Sequence, residues 1–575
     1  MKFLRINCST RQYKFEEPGD YAGLGGRALT SRLILNEVPA TCHPLSKENK
    51  LIAAAGTLTG TVAANSGRVS VGAKSPLTGT IKESNSGGQF AQRLARLGIL
   101  AVILEDKPED TSDFFSIHIN KDGVTFEDST PMAGKTTYKA MDDIIQKHGP
   151  KTAAMIIGPA GEKRLGSASI QFSDPEGHPA RAAGRGGLGA VMGSKRVKAI
   201  TLDDSGCKPI AAINSEDFKA ANKKWVKLLL DHPVTGQGLP AYGSAVLVNI
   251  INEAGALPTK NFRDGRFEGA SKISGEAVAE KITERNGKIK HGCHTGCVIQ
   301  CSQEYRDKAG KYLTSGFEYE TIWGFGANLL IDDIDIIAQL DRCCDELGLD
   351  TIEMANTVAM AMEGNVIPWG DGEGALELLK KVGTTDPMGN IIGNGTGFAA
   401  KAFGVDRVPV VKNQALPAYD PRVVKGVGVT YATTTMGADH TAGYGVCQNV
   451  LKCGGDINGL TNDGNVELSK NLQIATAAID SLGLCLFVAF PILDDATGVP
   501  IIAEMVQALI GQPYTADDII NLGVKTLEDE IDFNNAAGFS PQDDQLPDFF
   551  INEELPTHGI RWDYTVEELQ GAKVK

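Results

Sequence analysis

Two matching hexapeptides constrain what this 575-residue chain can fold into. They have the sequences DELGLD, at residues 345–350, and DSLGLC, at residues 480–485. Each follows an amphipathic helical pattern, and a Gly three residues after an Asp is typical of the left-handed position that ends a helix. The Leu that follows the Gly can pack back on the last turn. The chain is therefore expected to end two helices in the same way.

A single D-x-x-G-L segment would more often than not be only a helix end. Two copies place two carboxylates, Asp345 and Asp480, in the same fixed position. An ionised carboxylate only accepts hydrogen bonds, so each is suited to a ligand with paired N–H donors, such as an aminopyrimidinone ring. The repeat therefore predicts two similar binding positions.

Three cysteines recur at C-x3-C-x3-C: Cys293, Cys297 and Cys301. Closely spaced thiolates with one distant fourth Cys are typical of a [4Fe–4S] cluster. Cys485, the last residue of the second hexapeptide, is a candidate for that distant ligand. Structural zinc is the competing interpretation, but it usually takes two short ligand pairs, and no second pair with such spacing is present. The pattern favours iron–sulfur.

Charge and hydropathy narrow the class of protein. A formal net charge of −15 argues against a nucleic-acid-binding protein, which needs a surplus of Lys and Arg. The first residues lack a secretory apolar stretch, and the apolar run 484–490 is too short to cross a bilayer. A cytoplasmic protein without membrane insertion is expected, and its eleven Cys favour metal ligation over disulfides. The adjacent Cys343 and Cys344 lie in a helical pattern, where at least one belongs in the core.

The chain is expected to be an α+β multidomain protein with three domains. Residues 1–208 contain short apolar stretches bounded by turn residues, which predicts a β-rich domain. Residues 209–412, with the first hexapeptide and three cysteines, and 413–575, with the second hexapeptide and Cys485, are expected to be mainly helical. The first helix is predicted to have Ser215 as its N-cap and one apolar face, formed by Phe218, Ala221, Trp225, Leu228 and Leu229.

With these motifs, essentially the whole chain resembles the tungsten-containing aldehyde:ferredoxin oxidoreductase family, in which two D-x-x-G-L-(D/C) motifs bind two pterins and the last Cys completes the cluster. The resemblance implies a tungsten bis-pterin centre (tungstopterin, with molybdenum an alternative), one [4Fe–4S] cluster and Mg. It assigns the cluster to Cys293, Cys297, Cys301 and Cys485. It assigns the pterins to the β-rich domain and to Asp345, Gly348, Leu349, Asp350, Asp480, Gly483 and Leu484.

Two Gly-rich segments of the first domain, residues 66–90 and 180–195, resemble the family's pterin-phosphate region. By this resemblance Arg68 lies between pterin and cluster, and the backbone carbonyls of Asn85 and Ala183 bind a magnesium that bridges the two pterin phosphates. Glycines there allow backbone N–H groups to approach phosphate closely. The other residues that the resemblance assigns to cofactor binding are Gly87, Gly88, Gly184, Arg185 and Gly186.

Residues 184–189 also match the dinucleotide pattern G-x-G-x-x-G. The preceding segment, SDPEGHPARAA, is polar and rich in turn residues, whereas a Rossmann unit needs an apolar strand there. A lone Gly pattern is weak evidence in a chain with 66 Gly. The dinucleotide interpretation is rejected.

The resemblance assigns catalysis to Glu320 and His440, which correspond to the family's pocket glutamate and histidine. A His with a reference pKa of about 6.5 can move protons near neutrality. Glu318 would share a face with Glu320 in a strand, so the choice between them rests on the resemblance. Without the family, a single His beside Asp439 or a lone Glu is more often an ordinary surface or core residue.

The implied activity is oxidation of an aldehyde to a carboxylic acid, with electrons passed through the cluster to ferredoxin or to an iron–sulfur electron-transfer subunit. Two alternatives are the catalytic subunit of an aromatic acyl-CoA (benzoyl-CoA type) reductase with the same cofactor and a non-catalytic electron-transfer subunit. A non-catalytic electron-transfer subunit would need the cysteines but neither the two carboxylates nor the pocket His.

The sequence departs from the family in two places. Three residues separate Cys293 from Cys297, where the family usually has two. Gln339 stands where the founding archaeal members have an acid near an iron that bridges two subunits. No bridging iron is therefore expected, and a homodimer is left open.

Overall fold

The computed structural model describes residues 1–109 and 113–574. The N-terminal part forms two six-stranded sheets. The strands of the first sheet are β1 (Lys2–Asn7), β2 (Gln12–Glu16), β3 (Leu51–Ala55), β4 (Val69–Lys74), β5 (Ile81–Ser86) and β6 (Ile99–Glu105). Those of the second are β7 (Phe115–Asn120), β8 (Gly123–Asp128), β9 (Ala153–Ile156), β10 (Ile170–Phe172), β11 (Arg181–Ala183) and β12 (Val197–Asp203).

The two sheets have the same topology. The first has the order β2-β1-β6-β3-β4-β5, and the second has the corresponding order β8-β7-β12-β9-β10-β11. In each sheet the first and last strands of the unit, β1 with β6 and β7 with β12, run parallel, and all other neighbours are antiparallel. The N-terminal part is thus an internal repeat of one six-stranded unit.

Helices cover these sheets and lie between them: α1 (Gly26–Glu37), α2 (Phe90–Arg96), α3 (Thr137–His148), α4 (Pro159–Glu162) and α5 (Leu188–Ser194). Alternate strand residues face opposite sides. Leu51 and Ala53 of β3 join a core shared with β7 and β12, whereas Ile52 and Ala54 pack with α1. The two sheets therefore share one apolar core, which fixes their relative position.

The rest of the chain is mainly helical. Its helices are α6 (Ser215–Asp231), α7 (Leu239–Tyr242), α8 (Leu247–Glu253), α9 (Gly275–Glu284), α10 (Tyr319–Phe325), α11 (Ile334–Leu347), α12 (Thr351–Glu363), α13 (Gly372–Leu379), α14 (Pro387–Gly393), α15 (Thr396–Phe403), α16 (Lys425–Thr433), α17 (Asn465–Leu482), α18 (Ala489–Asp494), α19 (Gly498–Ile510), α20 (Ala516–Ala536), α21 (Asp548–Asn552) and α22 (Val566–Gln570). Its strands are β13 (Lys288–His291), β14 (Ser302–Arg306), β15 (Tyr312–Ser315), β16 (Val410–Val411) and β17 (Gln414–Ala415).

The expected fold class, a β-rich N-terminal part followed by mainly helical ones, is confirmed. The predicted N-cap is wrong: α6 already begins at Ser215, and Asn214 precedes it without a capping side-chain bond. The hydroxyl of Ser215 instead donates to the carbonyl of Ala212. The domain boundaries near residues 208 and 412 stay predictions. Within the described residues, no helix is long and apolar enough to cross a membrane.

The apolar face predicted for α6 is present, with Leu228 only half-buried. Cys344 is buried in the main core, as expected for one of the two adjacent cysteines.

Candidate functional site

The two hexapeptides end α11 and α17 in the same geometry. Gly348 and Gly483 have φ of 71° and 78°, in the left-handed region. The N–H of each Gly bonds the carbonyl of the Asp three residues earlier, Asp345 or Asp480. The next Leu N–H bonds the carbonyl five residues earlier, which closes the helix. The predicted pair of matching helix ends is confirmed.

Each helix end packs against a glycine of one sheet. A Cβ on Gly158, which follows β9, would lie 2.3 Å from the carbonyl oxygen of Leu347. A Cβ on Gly56, which follows β3, would lie 2.1 Å from the amide nitrogen of Gly483. β3 and β9 are equivalent strands of the repeat. The repeated helix end therefore meets the repeated sheet at the same place twice.

Asp345 and Asp480 are buried, with exposed fractions of 7% and 8%. Burial is the first cause that raises the pKa of each carboxyl well above its usual range. Asp341 raises the pKa of Asp345 further, whereas Arg27, whose Nη1 lies 3.4 Å from Oδ2 of Asp480, opposes the rise there. Two poorly compensated carboxyls thus lie inside the protein.

These carboxyls line two adjoining cavities of about 330 and 230 Å3. Asp345 lines both cavities, and Asp480 lines the smaller one. Arg68 and His440 are also shared by both walls, which makes the cavities neighbours. Carboxyl oxygens that face interior space fit a ligand with N–H donors, and such a ligand would favour the ionised, acceptor-only form.

The structure brings Cys485 to the three clustered cysteines. Cys293, Cys301 and Cys485 all line the larger cavity. The thiol of Cys297 hydrogen-bonds to Cys293, which is the first cause that holds the pKa of Cys293 well below its usual range. The pKa of Cys485 is raised to about 11, chiefly by burial; Arg68 opposes the rise and the neighbouring Cys293 contributes to it. Four thiols from two distant parts of the chain therefore form one group.

Arg68 lies between this cysteine group and the smaller cavity. Its Nη2 donates to the carbonyl oxygen of Asn85 at 3.3 Å, and its Nε donates to the Asn85 side chain. A Cβ on Gly87 would lie 3.0 Å from Sγ of Cys293 and 3.4 Å from Nη1 of Arg68. A side chain at position 87 would thus crowd the thiol of Cys293 and the guanidinium of Arg68. The next residue, Gly88, has φ of 91°, which favours Gly.

Asn85 and Ala183 occupy equivalent strands of the repeat, β5 and β11. Gly184 follows Ala183 and lines the smaller cavity. Gly186 has φ of 85°, and a Cβ there would lie 2.6 Å from the side chain of Lys82. The two Gly-rich segments are therefore repeat-related loops beside one cavity.

All three nitrogens of the Arg185 guanidinium bond to other residues of the protein. Its Nε lies 3.2 Å from Oδ2 of Asp350, and Nη1 and Nη2 donate to the carbonyl oxygens of Ala438 and Ala415. This side chain joins the second sheet to α12, which Asp350 caps through the N–H of Ile352. Arg185 thus holds the wall of the smaller cavity in place.

The segment before the G-x-G-x-x-G pattern was expected to lack a strand, and this expectation is wrong. A short strand, β11, does precede residues 184–189, and α5 begins within them, at Leu188. However, β11 pairs antiparallel with β10 at the edge of its sheet. A Rossmann unit needs parallel strands joined by the helix, so the rejection stands for a different reason.

Glu320 and His440 meet in the larger cavity, where Nε2 of His440 lies 3.3 Å from Oε1 of Glu320. Oε2 of Glu320 accepts the N–H of Ala418 at 3.0 Å. Burial raises the pKa of Glu320 to about 8 and lowers that of His440 to about 4. Near neutrality both groups are therefore uncharged, and one proton is available between them.

The expectation that Glu318 and Glu320 lie in a strand is wrong. Glu320 is in the first turn of α10, and Glu318 is its N-cap residue. The side chain of Glu318 accepts from the hydroxyl of Ser244 and also lines the larger cavity. The segment is helical because Tyr319, Ile322 and Trp323 pack in the core at helical spacing.

Oε1 of Glu320 and Nδ1 of His440 are buried without a hydrogen-bond partner among the described residues. Buried polar atoms are normally satisfied, so such atoms on a cavity wall are typical of a site that binds a polar ligand. Together with the two carboxyls and the four thiols, they fit a site that binds a metal and a polar ligand.

Sequence reasoning missed several residues of these walls. Asn65 contacts both cysteine segments, and Nδ1 of His294 lies 3.2 Å from Sγ of Cys293. Asp341 and Glu83 line the larger and the smaller cavity. His294 was detectable as a residue inside the C-x3-C segment, whereas Asn65 and Glu83 have no local signal.

Comparison with known families agrees with this arrangement. Residues 3–204 match the N-terminal domain of aldehyde ferredoxin oxidoreductase, and residues 220–571 match its domains 2 and 3. The chain belongs to the aldehyde ferredoxin oxidoreductase family. This is a family of oxidoreductases.

Several relatives in the aldehyde ferredoxin oxidoreductase family match nearly the whole chain. The tungsten-containing aldehyde ferredoxin oxidoreductase of Pyrococcus furiosus is 38% identical over 577 residues, which span 96% of this chain and 92% of that protein. Its counterpart in Thermococcus kodakarensis is 37% identical with the same coverage. The WOR-like subunit of an aliphatic sulfonate oxidoreductase from Pyrococcus furiosus is 27% identical over 73% of this chain and 70% of its own length.

A solved structure has the same fold. The active-site complex BamBC of benzoyl coenzyme A reductase, in complex with 1,5-dienoyl-CoA, superposes with a TM-score of 0.79 at 19% identity. The match covers 97% of this chain and 92% of that one.

Proposed function

We propose that this chain oxidises aldehydes to carboxylic acids at a bis-pterin tungsten centre and passes the electrons through one [4Fe–4S] cluster to ferredoxin. One observation carries the proposal: two buried carboxyls, Asp345 and Asp480, lie at matching helix ends on cavities whose walls include the cysteine group. The family, shown by identity along the chain, supports the same activity.

Each hexapeptide binds one pterin in this proposal. Asp345 and Asp480 accept hydrogen bonds from the N–H groups of the pterin rings. The left-handed glycines, Gly348 and Gly483, keep the helix ends compact against the sheets. The following residues, Leu349, Asp350 and Leu484, complete the two binding segments.

The repeat-related loops bind the pterin phosphates and the magnesium. Glycines 87, 88, 184 and 186 keep side chains out of the way of backbone N–H groups. The carbonyl oxygens of Asn85 and Ala183 are the proposed magnesium ligands, supported by their equivalent positions on β5 and β11. Hard cations such as magnesium prefer oxygen ligands.

Cys293, Cys297, Cys301 and Cys485 hold the cluster as thiolates. Arg68, which lines both cavities, supplies fixed positive charge beside Cys485 and the carboxyl of Asp480. Positive charge there stabilises thiolates and an electron-rich cofactor. The loop residues Thr295 and Gly296 are exposed, which brings this end of the site to the surface where ferredoxin docks.

A dithiolene-bound tungsten, or molybdenum, supplies the two-electron chemistry when it is bound. The net change, RCHO + H2O → RCOOH + 2 H+ + 2 e−, releases protons inside a closed cavity. Neutral His440 accepts a proton there, and the protonated carboxyl of Glu320 donates a hydrogen bond to the substrate oxygen. The surrounding aromatic side chains Tyr319, Tyr419 and Tyr444 exclude water from the larger cavity.

The proposal is tested with anaerobically purified protein, a viologen acceptor and a panel of aldehydes, with an aromatic acyl-CoA thioester and a strong reductant as a separate assay. We expect aldehyde-dependent viologen reduction. Protein that carries tungsten and iron in full amounts yet oxidises none of the aldehydes contradicts the proposal. Reduction of the thioester alone would favour the acyl-CoA reductase alternative.

A further inference from the structure

Asn65 contacts both parts of the chain that supply the cysteine group. It is fully buried and lies in the loop between β3 and β4. Its N–H donates to the carbonyl oxygen of Gly296 at 3.0 Å, and its own carbonyl oxygen accepts the N–H of Cys485 at 2.9 Å. Its side-chain Oδ1 accepts the N–H of Val298 at 3.0 Å, and its Nδ2 lies 3.5 Å from Sγ of Cys297.

The bond from the N–H of Val298 fixes the orientation of the Asn65 side-chain amide. The N–H of Val298 needs an acceptor, so Oδ1 must face it. The NH2 group is then directed at the sulfur of Cys297. Asn65 therefore contacts a thiol of the local trio through its side chain and the backbone of the distant fourth cysteine through its main-chain carbonyl oxygen.

The backbone of Asn65 adds a further constraint, because its φ is 58°. Among residues with a side chain, Asn adopts this left-handed conformation at little cost. Glycine could adopt it too, but it would supply neither the bond to Val298 nor the donor to Cys297. The combination of backbone and side-chain contacts thus accounts for Asn at this position.

We propose that Asn65 is a positioning residue of the iron–sulfur cluster, which holds the Cys297 and Cys485 segments together and donates an N–H to the sulfur of Cys297. The inference rests on the proposed function, since it requires that the four cysteines bind a cluster. Hydrogen bonds to ligating sulfurs tune the potentials of such clusters. A donor favours the more negative, reduced state, so Asn65 raises the reduction potential.

The test compares Asn65→Gly with Asn365→Gly in anaerobically purified holoenzyme. Asn365 is exposed and has φ of 57°, so the control makes the same substitution on the same backbone conformation. Iron content is measured first, and an EPR-monitored redox titration then gives the potential. We expect Asn65→Gly to shift the reduced-to-oxidised ratio about tenfold, which is 59 mV toward more negative potential for one electron. Asn365→Gly should match wild type.

Loss of iron from Asn65→Gly alone would equally support the positioning role. A full cluster with wild-type potential and EPR spectrum in Asn65→Gly would overturn the inference while leaving the proposed function intact. Wild-type protein without any cluster would instead refute the proposed function.

A second measurement needs no variant. Wild-type protein is produced with side-chain 15N-labelled asparagine, and pulsed EPR of the reduced cluster is recorded. A 15N coupling to the cluster is expected from an amide N–H that donates to a ligating sulfur. Absence of that coupling in cluster-loaded protein would overturn the inference.

Discussion

At the residue scale, burial favours the uncharged forms of Glu320 and His440. The carboxyl is protonated below about pH 8, and the imidazole is neutral above about pH 4. Between these values the pair carries no net charge, although a free Glu and a free His would be charged and partly charged. The pair is thus ready to donate one hydrogen bond and to accept one proton at neutral pH.

We predict that kcat/KM for aldehyde falls as the pH rises through about 8, since Glu320 then ionises and loses its hydrogen-bond donor. On the acid side the fall begins only near pH 4, where His440 becomes protonated. A pH profile of kcat/KM with the viologen acceptor checks this. A basic limb that begins near pH 6 would contradict the assignment.

Glu320→Gln is expected to lower kcat by about 10²–10⁴-fold, a typical contribution of a general acid or base, and to remove the basic limb near pH 8. Glu318→Gln is the matched comparison, because it changes the same group two residues away on the same cavity. It should keep the limb. Profiles of kcat/KM against pH distinguish the variants. If only Glu318→Gln loses the fall near pH 8, Glu318 and not Glu320 is the catalytic glutamate.

The contact between Glu320 and His440 was predicted only through the family. No local pattern in either segment indicates this contact, because it depends on how α10, which carries Glu320, packs against the loop that carries His440. The pKa shifts of Glu320 and His440 could not be predicted from the sequence either, since they arise from burial in a cavity formed by distant parts of the chain. Asn65 was missed for the same reason.

At the element scale, the ends of α11 and α17 are local structures and were therefore readable from the sequence. A left-handed Gly and a returning Leu define a helix end within six residues. Their partners, Gly56 and Gly158, look like any turn glycine in a Gly-rich chain. The six-stranded repeat was not predicted either, because it is expressed in strand order and pairing.

We predict that Gly56→Ala and Gly158→Ala each lower the free energy of unfolding by about 1–3 kcal/mol, the usual cost of overpacking. The added Cβ would meet backbone atoms at 2.1 and 2.3 Å, and backbone cannot move aside like a flexible side chain. Gly238→Ala is the control, since the nearest atom to its Cβ lies 3.9 Å away. Thermal unfolding of the three variants, with pterin content, measures the effect. Equal stability of all three would contradict the packing argument.

At the scale of the whole molecule, one buried ion pair joins the N-terminal part to the C-terminal helices. Nε and Nη2 of Arg27, in α1, bond the two carboxylate oxygens of Glu530, in α20, at 2.8 and 2.9 Å. The same guanidinium reaches Asp480 at the end of α17. Arg27 therefore connects the first sheet to the second hexapeptide.

Arg27→Met is expected to cost about 3–5 kcal/mol of stability, because Glu530 is left buried without its cation. The double variant Arg27→Met with Glu530→Met should recover a large part of that loss, since the pair is replaced by apolar groups. Denaturant unfolding of the single and double variants measures both values. If the double variant is no more stable than the single one, the buried charge is not the cause.

The fold class, a β-rich N-terminal part followed by mainly helical ones, followed from composition and periodicity. The joining of Cys485 to the trio did not follow from spacing alone, because it depends on the loop around Asn65 meeting the end of α17. Local patterns thus predicted the helices and strands, whereas the contacts between distant segments were predicted only from the resemblance to the family.

The central claim is that Asp345 and Asp480 each bind one pterin beside a four-iron cluster. The most direct measurement is the content of heavy metal, pterin and iron in anaerobically purified wild-type protein. We expect one tungsten or molybdenum atom, two pterins and about four iron atoms per chain. Protein with iron in that amount but neither heavy metal nor pterin would contradict it.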